Sequence, residues 1–434
     1  MPYQGSSRLP AEFASKISHI DVIEDDLIRD LVEKLESPDK SEIVDSTKWE
    51  KYTVGEPLSL VFSTDGSFQT VSSDQWPYRK ATFVKISIVI LDNDEITSLD
   101  KENPNPLAIR DILARSSDYH STIIPLQHIK QKGMTTYDTI REIIFRSMKE
   151  PKFDGEILNT LKWIVYQKWD DSKKDPLEAF FCPHCYDLTS LPYDAEIGNC
   201  DRCKGPLFLT DMLGFHQVMD DDFAPEQVAI DYMTIYETLL LFFCVRYLWE
   251  HNKDVLSRSL FVKDGPLSIR AQYSKLVRPI RNFLEFAYKD GNPVYLLSQE
   301  KTGNFADHLK TIELDVPDNS IFIPGDKYIK EEVQQRPLGG QVYGKDTNYG
   351  AKVFVKIDEH NSLMLDIPTG QLKQNPTYYD LIGVDRILGT INLMLSSRFE
   401  SALIPIEMAH NIASLSTYPS GKILKILAEE AGLI

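Results

Sequence analysis

Positive charge is scarce in this sequence. Its 47 Lys and Arg stand against 65 Asp and Glu, giving a formal charge of -18 and a pI near 5.0. That balance excludes non-specific coating of nucleic acid or anionic membrane, because both need a basic surface; a local basic groove is still permitted. Long hydrophobic runs are also missing: the oiliest stretch, 238–249, contains Arg246 and is too short to span a bilayer. No charged n-region followed by an apolar h-region opens the chain, so the expected address is the cytoplasm, with no membrane partner. No repeat of fixed period is present, which excludes a solenoid. What is there suffices for a folded core, since 42% of the 434 residues are hydrophobic, enough for about two or three domains.

Cysteine is rare but concentrated. Four of the five cysteines lie in "CPHCYDLTSLPYDAEIGNCDRC", as Cys182-x2-Cys185-x14-Cys200-x2-Cys203. In a chain without a secretion signal this spacing reads as a metal site before it reads as disulfides. Two Cys-x2-Cys knuckles place four thiolates around one tetrahedral Zn²⁺ and leave no open position for water, so the site is expected to be structural. His184 inside the first knuckle is expected to be a spectator, and Cys244, in an apolar helix, a small core residue.

Periodicity organises the rest. Residues 11–37 show helical apolar spacing and predict an amphipathic helix ending before Pro38. "EPLSLVFSTDGSFQTV" and "RKATFVKISIVILD" read as strands, with DG as the turn signal, and "NDEITSLDKENPNP" as a polar loop. The spacing predicts helix over 137–169 and a long helix over 225–249. "SRSLFVKDGPL", "YSKLVRPIRNFLEFAYKDG" and "PVYLLSQEK" form a strand, helix, strand series, a βαβ unit that favours a parallel pair in a mixed sheet. "GAKVFVKIDE" and "SLMLDIP" look like a hairpin, and 377–394 and 407–413 like helices. The domain reading is 1–48 as an N-terminal helical segment, 49–94 with 216–434 as the main α/β domain, and 95–215 as an insertion carrying the cysteine module at 182–203.

One phosphate-loop match is excluded. "GGQVYGKD" satisfies G-x4-G-K at Gly339, Gly344 and Lys345, but Asp346 replaces the hydroxyl residue that would hold Mg²⁺, and a strand follows where a helix N-terminus is required.

The acids form the more informative set. Asp65 in "VFSTDGSF" and Asp264 in "LFVKDGPL" each precede a Gly at what reads as the end of an apolar strand, where the backbone can turn away and leave a carboxylate facing a cleft. Glu237 in "IYETLLLFF" sits in an apolar helical surface, where an acid is costly unless paired or metal-bound. Each has an ordinary reading as well: DG is a common turn, and a helical Glu commonly faces solvent.

The fragments "STDGSFQTV", "YETLLL", "LFVKDGPLS", "VYLLSQEKTGNF" and "LIPIEMAHNIASLS" together resemble the NurA nuclease family, prokaryotic enzymes that work with the hexameric ATPase HerA in processing DNA ends. The resemblance covers about 50–92 and 225–430. It implies an RNase H-like, PIWI-like mixed sheet flanked by helices, a Mn²⁺- or Mg²⁺-dependent phosphodiesterase acting on DNA, a homodimer, and a HerA-like partner in repair or anti-phage defence. Residue by residue, it makes Asp65 the first acid, Asp264 the DGPL acid and His410 the late histidine. Glu237 becomes the helical acid, with Glu250 as the other possible register, and Lys301 a cation near the phosphate. Hard oxygen ligands suit such ions. The departure from the family is the long interval between Asp65 and Glu237, which holds the cysteine cluster and is expected to brace a DNA path or a protein contact. The rival reading is a non-catalytic zinc-ribbon adaptor on a nuclease-like scaffold.

Overall fold

The computed structural model describes residues 22–35, 49–97, 106–314, 316–337, 339–396, 400–415 and 419–434. It divides into two units, Met1–Ser46 and Thr47–Ile434. In the first, the helix Asp26–Lys34 begins where the Asp25 carboxylate accepts the Leu27 and Ile28 amides at 2.9 and 3.1 Å. The flanks of the expected helix, 11–21 and 36–37, lie outside the described residues, as does most of the polar loop, 98–105.

Among the described residues, the second unit has thirteen strands. In chain order they are β1 (Glu50–Lys51), β2 (Leu60–Ser72), β3 (Lys80–Asp92), β4 (Ser117–Gln127), β5 (Phe180–Phe181), β6 (Leu188–Thr189) and β7 (Ile197–Asn199). They continue with β8 (Pro206–Phe208), β9 (Ser259–Asp264), β10 (Tyr295–Glu300), β11 (Ser320–Phe322), β12 (Ala351–Lys356) and β13 (Ser362–Ile367). Nine of them form one mixed sheet in the order β1-β11-β12-β13-β10-β9-β2-β3-β4. The pairs β2·β9 and β9·β10 are parallel and the others antiparallel.

Side-chain alternation divides two cores between the faces of the sheet. Phe62, Val84, Ile86, Phe261 and Leu296 pack under the helices Thr136–Met148, Glu156–Val165, Gln227–His251 and Val277–Lys289. Val61, Val89, Leu260, Val262 and Leu297 pack under Val384–Leu393 and Ile404–Ala413 on the other face. The result is a helix, sheet, helix sandwich.

The βαβ unit and the β12–β13 hairpin form as the sequence pattern predicts. Two expectations change. The DG at 65–66 is no turn: β2 runs straight through it, paired residue for residue with β3, and the chain reverses at 73–79 instead. The helix predicted over 137–169 is two helices, interrupted by Pro151 and by Gly155 at φ +74°. Within the segment 95–215, β4 is an edge strand of the main sheet, and Cys182, Leu191, Cys200 and Leu207 share a core with the long helix. That helix, Gln227–His251, is long and apolar enough by length and composition to cross a membrane; here 78% of its apolar window is buried inside the protein.

Candidate active site

Asp65 and Asp264 stand side by side. The last parallel pair between β2 and β9 is Thr64 with Lys263, and both chains then present an aspartate on the face covered by Ile404–Ala413. β9 ends at Asp264 while β2 continues, so Asp264 does lie at a strand end and Asp65 lies in mid-strand, where its side chain is buried. Gly265, at φ +75°, takes the left-handed conformation that turns the chain away.

His410 comes from the last turn of Ile404–Ala413 and meets Asp65, Nδ1 to Oδ2, at 2.7 Å. The Asp65 hydrogen bond holds its imidazole pKa above the ordinary value, against partial burial and Lys301. Lys301 Nζ lies 3.3 Å from both oxygens of Asp264.

Glu237 reaches the same place from the opposite face. Gly66 makes this possible: a Cβ there would lie 2.3 Å from Glu237 Oε1 and 2.6 Å from Met233 Cγ. Burial pushes the Glu237 carboxyl up to about 7; Lys263 pulls the other way, and Asp65 and Asp264 add to the rise. Asp65, Glu237, Asp264, Lys301 and His410 all line one cleft of about 690 Å³. Glu250, the other register for the helical acid, sits at the far end of the helix beside Arg246 and outside this cleft.

The five do not collapse onto one point. Among the described residues, ligand atoms from three or more His, Cys, Asp or Glu side chains come within 4.8 Å of one another at the cysteine cluster alone. Glu237 is instead committed to Lys263, Oε2 to Nζ at 3.1 Å, with both side chains at most 6% exposed.

Lys263 is the residue the sequence motifs passed over. It is fully buried, donates to the carbonyl of Asp264 at 2.9 Å, and lines the cleft. Burial alone would lower its pKa; Glu237, Tyr349 and Asp264 together outweigh that and raise it. A signal was present: in "SLFVKD" a lysine follows the apolar run Leu260–Val262 of a buried strand, where it needs an acid opposite.

A second buried cation, Lys352, bonds Glu300 and Asp366. Asp366 also accepts the Leu267 amide at 2.7 Å, which pins the turn after Asp264. The G-x4-G-K segment serves the same turn. Thr347 O accepts the Ile269 amide, Leu267 O accepts the Tyr349 amide, and Arg281 ties down the carbonyls of Gly344, Lys345 and Asn348. It is a structural clamp with no following helix.

The cysteines form a separate centre. The hairpins β5–β6 and β7–β8 each carry a knuckle, and the left-handed residues Tyr186 and Lys204, both at φ 61°, close them. Sγ of Cys182 and Cys203 are 3.7 Å apart, and of Cys185 and Cys200 3.8 Å. A tetrahedron of 2.3 Å Zn–S bonds has edges of about 3.8 Å, so the four sulfurs fit zinc. His184 turns away to the Pro206 carbonyl at 3.0 Å. Cys244 is an isolated core thiol, pushed up to about 12 by burial.

No protein-family model matches the chain, and no curated protein matches it. Among solved structures it is similar to the NurA nuclease from Sulfolobus solfataricus, at 12% identity and a TM-score of 0.36, over 97% of this chain and 98% of that one. It is also similar to NurA bound to dAMP and manganese, at 12% identity and a TM-score of 0.29, over 96% and 98%.

Proposed function

We propose that this protein is a divalent-metal-dependent DNA nuclease of the NurA type, on an RNase H-like sheet. The observation that carries the reading is the pair Asp65 and Asp264, side by side where β9 stops, each with its own basic partner, His410 and Lys301. Structural ion pairs are common, but two acids on neighbouring strands that line one cleft together also offer the hard oxygen donors a divalent ion takes.

The donor set fits Mn²⁺ or Mg²⁺: hard carboxylate oxygens with one imidazole. Asp65 and Asp264 would hold the ion, with His410 beside it and Glu237 completing the set from the opposite wall in competition with Lys263. When bound, such an ion supplies Lewis acidity toward a phosphoryl oxygen and lowers the pKa of water. The chain's own groups do the rest. Lys301 offsets charge on the phosphodiester. Asp65 orients His410 and holds its imidazole pKa above the ordinary value. The buried Glu237–Lys263 pair fixes the cleft wall. The proposed setting is a cytoplasmic homodimer that receives DNA from a HerA-like ATPase, in repair or defence.

The test compares wild type with Asp264→Ala on matched DNA and RNA in Mn²⁺, with and without the ATPase. We expect DNA cleavage that falls by two or more orders of magnitude in the variant, since a metal ligand accounts for several kcal/mol of barrier. Equal rates would remove the catalytic role of Asp264. Inactivity of both would favour the adaptor, and preference for RNA would change the substrate.

A further inference from the structure

The cleft extends well past the acids. Its far end is lined by Gln227, Asp231, Arg270 and Tyr273, and Asp231 lies six residues before Glu237 on the same helix, about 9 Å along the axis. Asp231 is 5% exposed, and Gln227 donates to its Oδ1 at 2.9 Å. The buried hydroxyl of Tyr273 lies against the Asp231 carboxylate. Over this wall stands Arg270, with 58% of its side chain exposed and its Nε 3.3 Å from Asp231 Oδ1. Among the described residues its Nη1 and Nη2 make no hydrogen bond.

Those two groups distinguish Arg270 from the other cations of the cleft. Lys263 is taken by Glu237, Lys301 by Asp264 and His410 by Asp65. Arg270 alone is held on one side by a buried acid while its planar fork is left open, the arrangement that suits a phosphate. Its backbone is fixed too, since the Ile269 amide bonds Thr347 O at 2.8 Å and the Tyr273 amide bonds Arg270 O at 2.8 Å. A polyanion entering a cleft with five acids, Asp65, Asp231, Glu237, Asp264 and Glu300, needs such a contact away from the metal.

We infer that Arg270, oriented by Asp231, binds a second backbone phosphate of the strand whose scissile phosphodiester lies at Asp65 and Asp264. This rests on the nuclease reading above and adds a substrate-positioning residue to it. Arg270 touches no reacting atom; it sets the register of the strand along the cleft.

The test uses the full chain with Mn²⁺ and a labelled single-stranded oligonucleotide, comparing wild type, Arg270→Gln and Arg270→Lys. Loss of one charge-assisted contact raises KM by about tenfold in Arg270→Gln, with kcat changing far less. The slope of log binding constant against log salt, read by fluorescence anisotropy without metal, becomes shallower by about 0.7, the value of one phosphate contact on a single strand. Arg270→Lys keeps the charge and so recovers the slope, but only part of the KM. An unchanged slope in Arg270→Gln, at wild-type melting temperature, overturns the inference, as does a fall in kcat with KM unmoved. Wild-type hydrolysis of bis(p-nitrophenyl) phosphate, which offers one phosphodiester and no second phosphate, reports on the metal site alone. If that ester is cleaved and the slope does not move, the Arg270 contact is wrong and the nuclease reading stands. If wild type cleaves neither ester nor oligonucleotide, both fall together.

Discussion

At the scale of single residues, the site depends on how buried charges are paired. Glu237 and Lys263 are buried together, so removing one partner leaves the other uncompensated. Glu237→Gln should cost about 3–5 kcal/mol of folding stability, whereas Glu237→Leu with Lys263→Met should cost far less, because an apolar pair carries no desolvation penalty. Denaturant unfolding of the four-member cycle measures this, and additive costs would mean the two charges are not coupled. His410 gives a pH signature. Its folded-state pKa lies above the unfolded 6.5, so the Asp65 contact contributes stability in full below about pH 6.5 and loses it as pH rises through the folded value. In Asp65→Asn the imidazole should titrate lower, which NMR of the histidine ring protons reads directly; an unmoved titration would show that Asp65 is not the cause. These residues were unevenly legible in the sequence. Asp264 and Asp65 could be picked out because an acid before Gly in an apolar strand is conspicuous. Lys263 was overshadowed by the acid next to it, and Asp231 and Arg270 belong to no motif at all, because a subsite is defined by which elements meet.

At the scale of elements, the joint between β2 and the helix Gln227–His251 decides whether Glu237 reaches the cleft. The helix lies so close over Gly66 that a methyl group there meets both Glu237 and Met233. Gly66→Ala should therefore push the helix off the strand, costing about 1–3 kcal/mol as overpacking does, and should slow Mn²⁺-dependent cleavage by at least about tenfold as Glu237 is displaced. Thermal melts and cleavage rates check it, and a variant like wild type in both would mean that Glu237 plays no part. A DG dipeptide is also a turn signal, yet Gly66 serves close approach in a continuous strand, and a sequence pattern cannot separate the two uses of glycine. Parallel pairing of β9 with β10 was legible from the strand, helix, strand order, since a crossover of that length leaves little choice. Membership of β4 in the same sheet was not, because its pairing with β3 is set by packing under the helix Thr136–Met148 rather than by any local signal.

At the scale of the molecule, an excess of 18 negative charges has to be reconciled with the proposed polyanionic substrate. A nuclease that tracked DNA over a basic surface would neutralise six or more phosphates and lose binding steeply with salt. In this cleft Arg270 is the cation with an open fork, and the bound metal would supply the other main attraction, so binding should rest on very few phosphate contacts. The chain alone is therefore expected to bind single-stranded DNA weakly, with a log–log salt slope of about -1 to -2. Weak capture makes delivery valuable: a HerA-like translocase holding the DNA would raise its local concentration at the cleft without any new contact to it. ATP-driven stimulation of cleavage should then grow with salt, because the chain's own binding fades while the tethered strand remains. Cleavage rates with and without the ATPase, between about 50 and 200 mM salt, measure this directly. Should the isolated chain bind with a slope of about -5 or steeper, a basic track exists elsewhere on the surface and the need for a delivering partner disappears.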